Sequence, residues 1–366
     1  MPYLRNTWYV AAWSSELKAE PLGRKLLGEP VVLFRGENNE VVAANDMCPH
    51  RFAPLHLGSV VGGAIECPYH GLRFDSKGLC IHNPDGDGKV PGAARLKTFP
   101  TTERWGCVWI WMGDPARADA SRIPEYQFLD SPERYRPVTG LLNVRANYRL
   151  INDNLMDAAH VRMVHNTSLH CEMVSNTKTV LVKEPDGSIW ANRLGENGSP
   201  PPIFDMMWRA TRGEYDMPMQ HWAEARWNAP SLVMNNTGIA LQGQARETGL
   251  ETKNSHFLTP ETETTTHYFW SICRDFDLDN PGLDAAIRSG TEHAFVHEDE
   301  VMLHALQEAV GDRDFWAMKP VLLQADVSAI ALRRTLDKMI ADEQAGANPP
   351  LPQVELTVPL QHANVR

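Results

Sequence analysis

The chain has 366 residues, of which 43% are hydrophobic and 22% charged, as in a folded globular protein rather than a disordered one. Its formal net charge is −11 without a basic cluster, which argues against nucleic acid as a partner. The longest uncharged run, residues 227–245, is broken by proline, glycine and amide residues, and the first residues lack the apolar segment of a secretory signal. We therefore expect a cytoplasmic protein that makes no use of a membrane.

The first part of the chain predicts an all-β domain over residues 1–113. Short β-branched and aromatic runs at 31–34, 41–44 and 105–112 alternate with glycine- and aspartate-rich breaks. Four prolines then fall in residues 114–137, just after Gly113, and we assign this segment as a linker.

Residues 138–346 predict a second domain that mixes helices and strands, so the fold class is α+β. Its predicted strands are 179–182, 231–234 and 267–270. Its predicted helices are roughly 147–165, 284–310 and 326–345, the last ended by Gly346. We expect the remaining residues, 347–366, to form an extended tail.

Cysteine and histidine recur together in two short segments of the first domain. The first contains Cys48 and His50, and the second, sixteen residues later, contains Cys67 and His70. With only six cysteines the chain cannot be a disulfide scaffold. Two thiolates and two imidazoles suit either zinc or an iron–sulfur centre.

The order of these ligands favours a [2Fe–2S] cluster. Zinc fingers usually group their cysteines together and their histidines together, whereas each segment here offers one of each. Each segment can therefore give one ligand to each iron. Cys48 and Cys67 would bind one iron, and His50 and His70 the other. A structural zinc site is the alternative.

A second set of candidate ligands lies in the second domain. Asp157, His160 and His165 form the pattern D-x2-H-x4-H within a predicted helix. His165 lies about 140° round the helix from His160, so both rings reach one metal only if the helix ends or bulges between them.

A carboxylate from a later helix can complete this set. Asp299 falls in an apolar stripe with Phe295, Met302 and Leu306, and a buried carboxylate needs a cation or hydrogen bonds. His160, His165 and Asp299 would then form the two-histidine, one-carboxylate site of mononuclear non-haem iron(II). Glu298 is a rival ligand. A further metal face is offered at helical spacing by His293, His297 and His304.

Together the two ligand sets resemble those of Rieske non-haem iron oxygenases, over residues 1 to about 345. Segments 5–12, 153–157 and 258–263 are similar to the branch of vanillate O-demethylase and dicamba monooxygenase, and methyl-monooxygenases of arylsulfonates are equally similar. The resemblance implies an all-β Rieske domain followed by a helix-grip catalytic domain, an antiparallel sheet packed on helices. It also assigns the carboxylate ligand to Asp299 rather than Glu298.

The resemblance further implies partners. The sequence has no glycine-rich dinucleotide motif after a predicted strand, so electrons would come from a separate NAD(P)H-dependent reductase with flavin and [2Fe–2S]. In the family, the Rieske centre of one subunit faces the mononuclear iron of its neighbour in a homotrimer. Asp157 is therefore expected to bridge His70 of one protomer to His160 of the next.

Three more residues acquire roles from the resemblance. Asn154 stands where several ring dioxygenases carry an acid, which favours the monooxygenase branch. Asn235 and His256 fall at polar positions of the substrate pocket, where they would bind a carboxylate or phenol oxygen. Ordinary core or loop positions are the alternative for these two.

The function that follows is that of a terminal oxygenase, which uses O₂ to oxidise a methyl or methoxy group on a substituted aromatic acid. A ring cis-dihydroxylating dioxygenase is the main alternative. A Rieske-type electron carrier or a zinc-stabilised binding protein would account for residues 1–112 and leave the second ligand set unexplained.

Overall fold

The computed structural model describes residues 3–346, which form four antiparallel sheets and seven α-helices. The tail predicted for residues 347–366 lies outside the described residues. None of the described helices has the length and apolar character needed to cross a bilayer.

The N-terminal part is all-β, as predicted. Its strands are β1 (Trp8–Trp13), β2 (Leu22–Leu26), β3 (Glu29–Arg35), β4 (Val41–Asn45), β5 (Ser59–Val61), β6 (Ala64–Glu66), β7 (Arg73–Phe74), β8 (Cys80–His82), β9 (Thr98–Phe99), β10 (Thr101–Arg104) and β11 (Cys107–Trp111). They form three sheets, in the orders β1-β11-β10, β2-β3-β4-β9 and β5-β6-β7-β8. The three predicted strands lie in β3, β4 and β11.

The C-terminal part is a seven-stranded antiparallel sheet with helices. Its strands are β12 (Arg136–Val144), β13 (Val180–Lys183), β14 (Ile189–Gly198), β15 (Met219–Asn228), β16 (Leu232–Leu241), β17 (Leu250–Pro260) and β18 (Thr266–Arg274). The strand order is β12-β18-β17-β16-β15-β14-β13. The helices are α1 (Tyr148–Met156), α2 (Val161–Val164), α3 (Glu172–Ser175), α4 (Pro202–Arg212), α5 (Pro281–Glu292), α6 (Glu300–Val310) and α7 (Val327–Gln344).

The large sheet uses both of its faces. On one face Phe257 packs edge-on against Trp109 and Tyr126, with ring centroids 5.5 and 4.8 Å apart, which joins the sheet to the N-terminal part. Its sequence neighbour His256 points to the opposite face, because successive side chains of a strand alternate. The sheet therefore anchors the N-terminal part on one side and supports a cavity on the other.

The single helix predicted over residues 147–165 was wrong, because α1 stops at Met156. At Asp157 the backbone is extended (φ −103°, ψ 107°), and its carboxylate accepts a hydrogen bond from the Ala159 N–H at 2.7 Å. A short acidic side chain that binds nearby backbone in this way competes with helical hydrogen bonding. The chain resumes as α2 only at Val161.

The other long helices agree with the sequence. The helix predicted at 326–345 is α7, and the helix predicted at 284–310 extends from α5 through an irregular turn into α6. In the segment predicted as a linker the chain makes short 3₁₀ turns, and β12 already begins at Arg136. The domain limits given above stay a prediction.

Ion pairs hold α1 against α7. The buried Arg333 guanidinium binds both oxygens of Asp153 at 2.5–2.9 Å, and Arg149 binds Asp337 at 2.6 Å. Since the last turn of α1 carries Asn154, this clamp positions the segment that leads to the candidate metal site.

We expect Arg333→Ala to lower the free energy of unfolding by about 2–3 kcal/mol, because the partly buried Asp153 would lose the partner that binds both of its oxygens. Lys338→Ala is the matched control on the same helix. It breaks an exposed pair with Asp342 and should cost less than about 0.5 kcal/mol. Denaturant unfolding measures both variants, and equal losses would contradict the clamp.

Candidate metal centres and active-site cavity

Two loops of the N-terminal part carry the four predicted cluster ligands, and the loops share one backbone pattern. The Phe52 N–H donates to the Cys48 carbonyl at 2.8 Å, and the Gly71 N–H donates to the Cys67 carbonyl at 3.0 Å. Both donors have positive φ, 62° and 69° respectively. A residue in the left-handed conformation closes each loop tightly, and glycine adopts that conformation easily.

The four side chains form two like pairs. The buried thiols of Cys48 and Cys67 interact directly, and the rings of His50 and His70 lie 4.6 Å apart between centroids. Burial raises the pKa of the Cys48 thiol to about 11, so a thiolate there needs a nearby cation.

The pairing of like ligands favours a cluster over a single ion. One tetrahedral zinc would bring all four ligand atoms to about 3.3–3.8 Å of one another. Within residues 3–346 these four side chains do not form a group of that kind. A two-iron cluster, held by sulfur at one end and nitrogen at the other, fits two like pairs better.

His160 and His165 flank the short helix α2. His160 has helical backbone angles, whereas at His165 the chain leaves the helix (φ −112°, ψ 36°). The two ring centroids lie 5.3 Å apart. The sequence analysis required the helix to end or bulge for both rings to reach one metal, and this condition is met because α2 ends at His165.

Both histidines present Nε2 to the same carboxylate. Nδ1 of His160 faces the Asp157 carbonyl at 2.5 Å, and Nδ1 of His165 faces the Glu298 carboxylate at 2.6 Å. Both partners are acceptors, so each Nδ1 carries a proton, and in the neutral ring each Nε2 keeps the lone pair that a metal ion would take. These Nε2 atoms lie 3.6 and 3.2 Å from Oδ1 of Asp299.

This donor set suits a divalent cation. The ligand atoms of His160, His165 and Asp299 all lie within 4.8 Å of one another, the one such group of three among the described residues. Burial lowers the pKa of His165, but the carboxylates of Asp299 and Glu298 outweigh it and raise that pKa overall. The two carboxylates therefore favour positive charge here, which a metal ion bound through the Nε2 atoms would supply in place of a second proton on His165.

Asp299 reaches the histidines from a π-helical turn. The turn, His293–Asp299, lies between α5 and α6, and it places Glu298 and Asp299 on either side of His165. Such turns insert an extra residue into a helix and are frequent at functional sites. Glu298, the rival ligand in the sequence, is thus a hydrogen-bond partner of Nδ1.

The structure also corrects the predicted apolar stripe. Asp299 is buried, as expected, but Met302 and Leu306 are 51% and 43% exposed. Leu303, one position further along, is only 4% exposed. Leu303 lies four residues after Asp299, on the same face of the helix, so the predicted stripe was wrong beyond Asp299.

The alternative metal face does not assemble. Rings of His293 and His297 lie 5.3 Å apart, but His304 pairs instead with Glu308 at 3.5 Å. In the part of the chain that the structure describes, these histidines form no group of three metal-ligating atoms.

Asn154 and Asp157 border the triad from the end of α1. The Asn154 side-chain amide donates to Oδ1 of Asp299 at 2.9 Å, which orients that carboxylate. Asp157 Oδ2 lies 3.8 Å from Nδ1 of His160, too far for a hydrogen bond. Its side chain is 25% exposed and can meet a group from outside this chain.

A cavity of about 270 Å³ lies between the large sheet and the helices and reaches the triad. Asn235 and His256, the predicted substrate contacts, both line it. The Asn235 side chain lies 3.3 Å from Nε2 of His256, and the Tyr268 hydroxyl lies 2.8 Å from Nδ1. Burial lowers the pKa of His256 to about 3, so the ring is neutral.

Sequence reasoning missed three residues here. Tyr268 orients His256, while Arg193 and His221 line the cavity from β14 and β15. Strand alternation could have identified Arg193 and His221, because their side chains lie on the same face of the sheet as the small residues of the cavity floor. Using that signal requires the register of β14 and β15, which a bulge between Gly195 and Gly198 interrupts.

Comparison with known proteins agrees with both halves of this architecture. Residues 7–100 match the Rieske [2Fe-2S] domain, and residues 144–342 match the vanillate O-demethylase oxygenase C-terminal domain. The oxygenase component of chloroacetanilide N-alkylformylase from Rhizorhabdus wittichii (strain DC-6 / KACC 16600) is 40% identical, covering 93% of this chain and 97% of that protein. The oxygenase component of dicamba O-demethylase from Stenotrophomonas maltophilia is 38% identical, covering 93% and 98%.

A third relative and a solved structure extend this picture. The iron-sulfur subunit of the toluene-4-sulfonate monooxygenase system from Comamonas testosteroni is 36% identical, covering 95% of this chain and 100% of that one. The crystal structure of dicamba monooxygenase bound to dicamba superposes with a TM-score of 0.87 at 36% identity, over 94% of this chain and 100% of that chain.

A Rieske domain joined to a catalytic domain of this kind defines the oxygenases that combine a [2Fe–2S] cluster with mononuclear non-haem iron and use O₂. Within them, the chain belongs to the family of oxygenase components that includes vanillate O-demethylase. It is therefore an oxidoreductase component of a multicomponent monooxygenase system, and the expected α+β fold is confirmed. The relatives do not support the dihydroxylating, carrier or zinc-protein alternatives.

We expect His221 to make folding stability depend on pH. Burial lowers its pKa to about 4, against about 6.5 in an unfolded chain. Between these values only the unfolded chain takes up the proton, so the stability that neutral His221 contributes is lost as the pH falls. From pH 7 to pH 5 this loss is about 2 kcal/mol.

The free energy of unfolding of His221→Gln should accordingly fall about 2 kcal/mol less than that of the wild type between pH 7 and pH 5. Urea denaturation at both pH values measures this difference. His293→Gln replaces a 64% exposed ring and should keep the wild-type pH dependence. An unchanged pH dependence in His221→Gln would contradict the assignment.

Proposed function

We propose that the chain is the terminal oxygenase of a monooxygenase that oxidises a methyl or methoxy group on a substituted aromatic acid. The observation that carries this proposal is the opening of the His160, His165 and Asp299 donor set into a largely apolar cavity. Such a cavity binds an aromatic ring, and the donor set leaves coordination positions for other ligands. Relatives named for toluene-4-sulfonate and vanillate support an aromatic acid as substrate.

Seven residues would hold the two metal centres. His160, His165 and Asp299 would bind the mononuclear iron through two Nε2 atoms and a carboxylate. The [2Fe–2S] cluster would be held by Cys48, His50, Cys67 and His70. When bound, the cluster supplies electrons one at a time and the mononuclear iron supplies the site of O₂ activation.

The remaining site residues position groups. Glu298 and the Asp157 carbonyl hold the two imidazoles by Nδ1, and Asn154 holds the Asp299 carboxylate. In the cavity, Asn235 and neutral His256 would hydrogen-bond a polar oxygen of the substrate. The Oδ1 atom of Asn235 has no partner among residues 3–346, which suits a role towards a ligand.

The site would be completed by a second copy of the chain in a homotrimer. Asp157 would bridge His70 of one protomer to His160 of the next and so shorten the electron path. The exposed rings beside the cluster loops, Phe52 at 69% and Tyr69 at 59%, support contact with another surface there.

A separate reductase would deliver the electrons. The chain lacks a dinucleotide motif, and a flavin and [2Fe–2S] protein that oxidises NAD(P)H would meet the need. Among the described residues no disulfide joins any of the six cysteines, which suits the cytoplasmic location expected from the sequence.

Substrate-dependent O₂ uptake with a surrogate reductase tests the function. Methoxybenzoates should release formaldehyde and a phenol, and toluenesulfonates should give the benzylic alcohol, whose hydroxyl group should carry one atom of labelled O₂. The relative that is named an N-alkylformylase favours N-dealkylation of anilides as a second candidate, so anilides belong in the screen. A cis-diol that carries both oxygen atoms would contradict the proposal.

Asp157→Asn tests the bridge. The variant should keep its iron, its sulfide and the visible spectrum of the cluster, while turnover falls about 100-fold or more, because the backbone carbonyl would still hold His160 but the uncharged side-chain amide would accept more weakly from His70 of the neighbouring protomer. Asp279→Asn, at an exposed position, should turn over normally. Normal turnover by Asp157→Asn would exclude the bridging role.

A further inference from the structure

Arg193 stands out within the cavity because of its charge. It is the one arginine or lysine among the described residues that line the cavity. Its side chain rises from β14, and the residue is only 8% exposed. Its Nε donates to the Thr179 hydroxyl at 2.9 Å, but no carboxylate of residues 3–346 comes within 4.0 Å of the guanidinium. Burial lowers the pKa of Arg193, and Asp157 offsets this only through space, without contact. A buried cation without a contacting anion is costly, so this one can bind a negatively charged ligand.

His221 adds a second polar group at the same end. In the sheet, Arg193 pairs with Ala223 and Gly195 pairs with His221, so both side chains project from one face at neighbouring positions. His221 is 4% exposed, and its Nε2 has no partner among the described residues. Its Nδ1 lies 3.9 Å from the Cys171 sulfur. With Nδ1 facing that thiol, Nε2–H can donate to an acceptor.

The opposite end of the cavity carries no cation. There Asn235 and neutral His256 offer only uncharged hydrogen-bonding groups. Between the ends, Ala191 pairs with Ala225, which in turn pairs with Asn235. Arg193 and Asn235 are two strands apart, about 10 Å across the sheet, and alanines between them leave room for one aromatic ring.

We propose that Arg193, assisted by His221, binds the carboxylate or sulfonate of the substrate, while the Asn235–His256 end takes its uncharged polar group. This inference rests on the proposed function and deepens it, because it fixes the charge of the substrate and its direction in the cavity. Guanidinium is suited to the task, since its planar fork matches both anions.

Calorimetric titration of the anaerobic holoprotein tests the proposal. The probes are para-methoxybenzoate and para-toluenesulfonate, each beside its uncharged amide. The wild type should bind the acids more tightly than the amides. Arg193→Gln should weaken acid binding about 30-fold and leave amide binding within about threefold.

Three further variants keep the test decisive. Arg193→Lys should retain part of the preference for acids, and His221→Gln should weaken acid binding about fivefold. Arg212→Gln removes the same charge from an exposed position on α4 and should change nothing. The proposal is overturned if Arg193→Gln weakens acids and amides alike, if the wild type binds amides as tightly as acids, or if it binds none of the acids.

Failure of this inference differs from failure of the proposed function. Equal formaldehyde release from para-methoxybenzamide by the wild type and Arg193→Gln, without a preference for acids, would refute the anion site and leave the oxygenase function standing. Selective binding of acids without oxidation of any arene would support the anion site and refute the oxygenase function.

Discussion

The geometry of the catalytic domain depends on a five-residue spacing between two histidines. On a continuous helix His160 and His165 would point about 140° apart, and no ion could join them. The structure avoids this divergence because α2 ends at His165, after α1 has already ended at Asp157. A second irregularity, the π turn before α6, brings Asp299 to the same point. Two departures from regular helix thus create one compact donor set.

The large sheet connects this donor set to the rest of the molecule. Its strands alternate between residues that pack on the N-terminal part, such as Phe257, and residues that line the cavity, such as His256. A shift of one residue in register would exchange the two sets. The strand pairing therefore determines both where the N-terminal part packs on the sheet and which polar residues line the two ends of the cavity.

Local and chemically specific patterns were predictable from the sequence. Cys48, His50, Cys67 and His70 lie in short loops whose spacing alone indicates a pair of ligands each, and the structure brings them together as two like pairs. The burial of Asp299 was predicted from an apolar stripe, whereas its choice as the ligand over Glu298 came from the family resemblance.

Features that depend on distant geometry were not predictable. The π turn before α6 has no signature in the sequence, and a regular helix allows either Met302 or Leu303 on the face of Asp299, of which the structure buries Leu303. Only the pairing of β14 with β15 shows that Arg193 and His221 are neighbours in the cavity, and periodicity within one strand carries no information about the neighbouring strand. The family resemblance supplied the place of Asn235 and His256 in the cavity, which the residues alone did not.

Metal analysis of the purified holoprotein tests most directly whether the chain holds iron in two separate places. Wild-type protein should contain about three iron atoms and about two acid-labile sulfides per chain. Asp299→Asn should lose about one iron and keep its sulfide and the visible spectrum of the cluster. A wild-type chain with no more than two irons, or an Asp299→Asn variant that keeps all of its iron, would contradict the account.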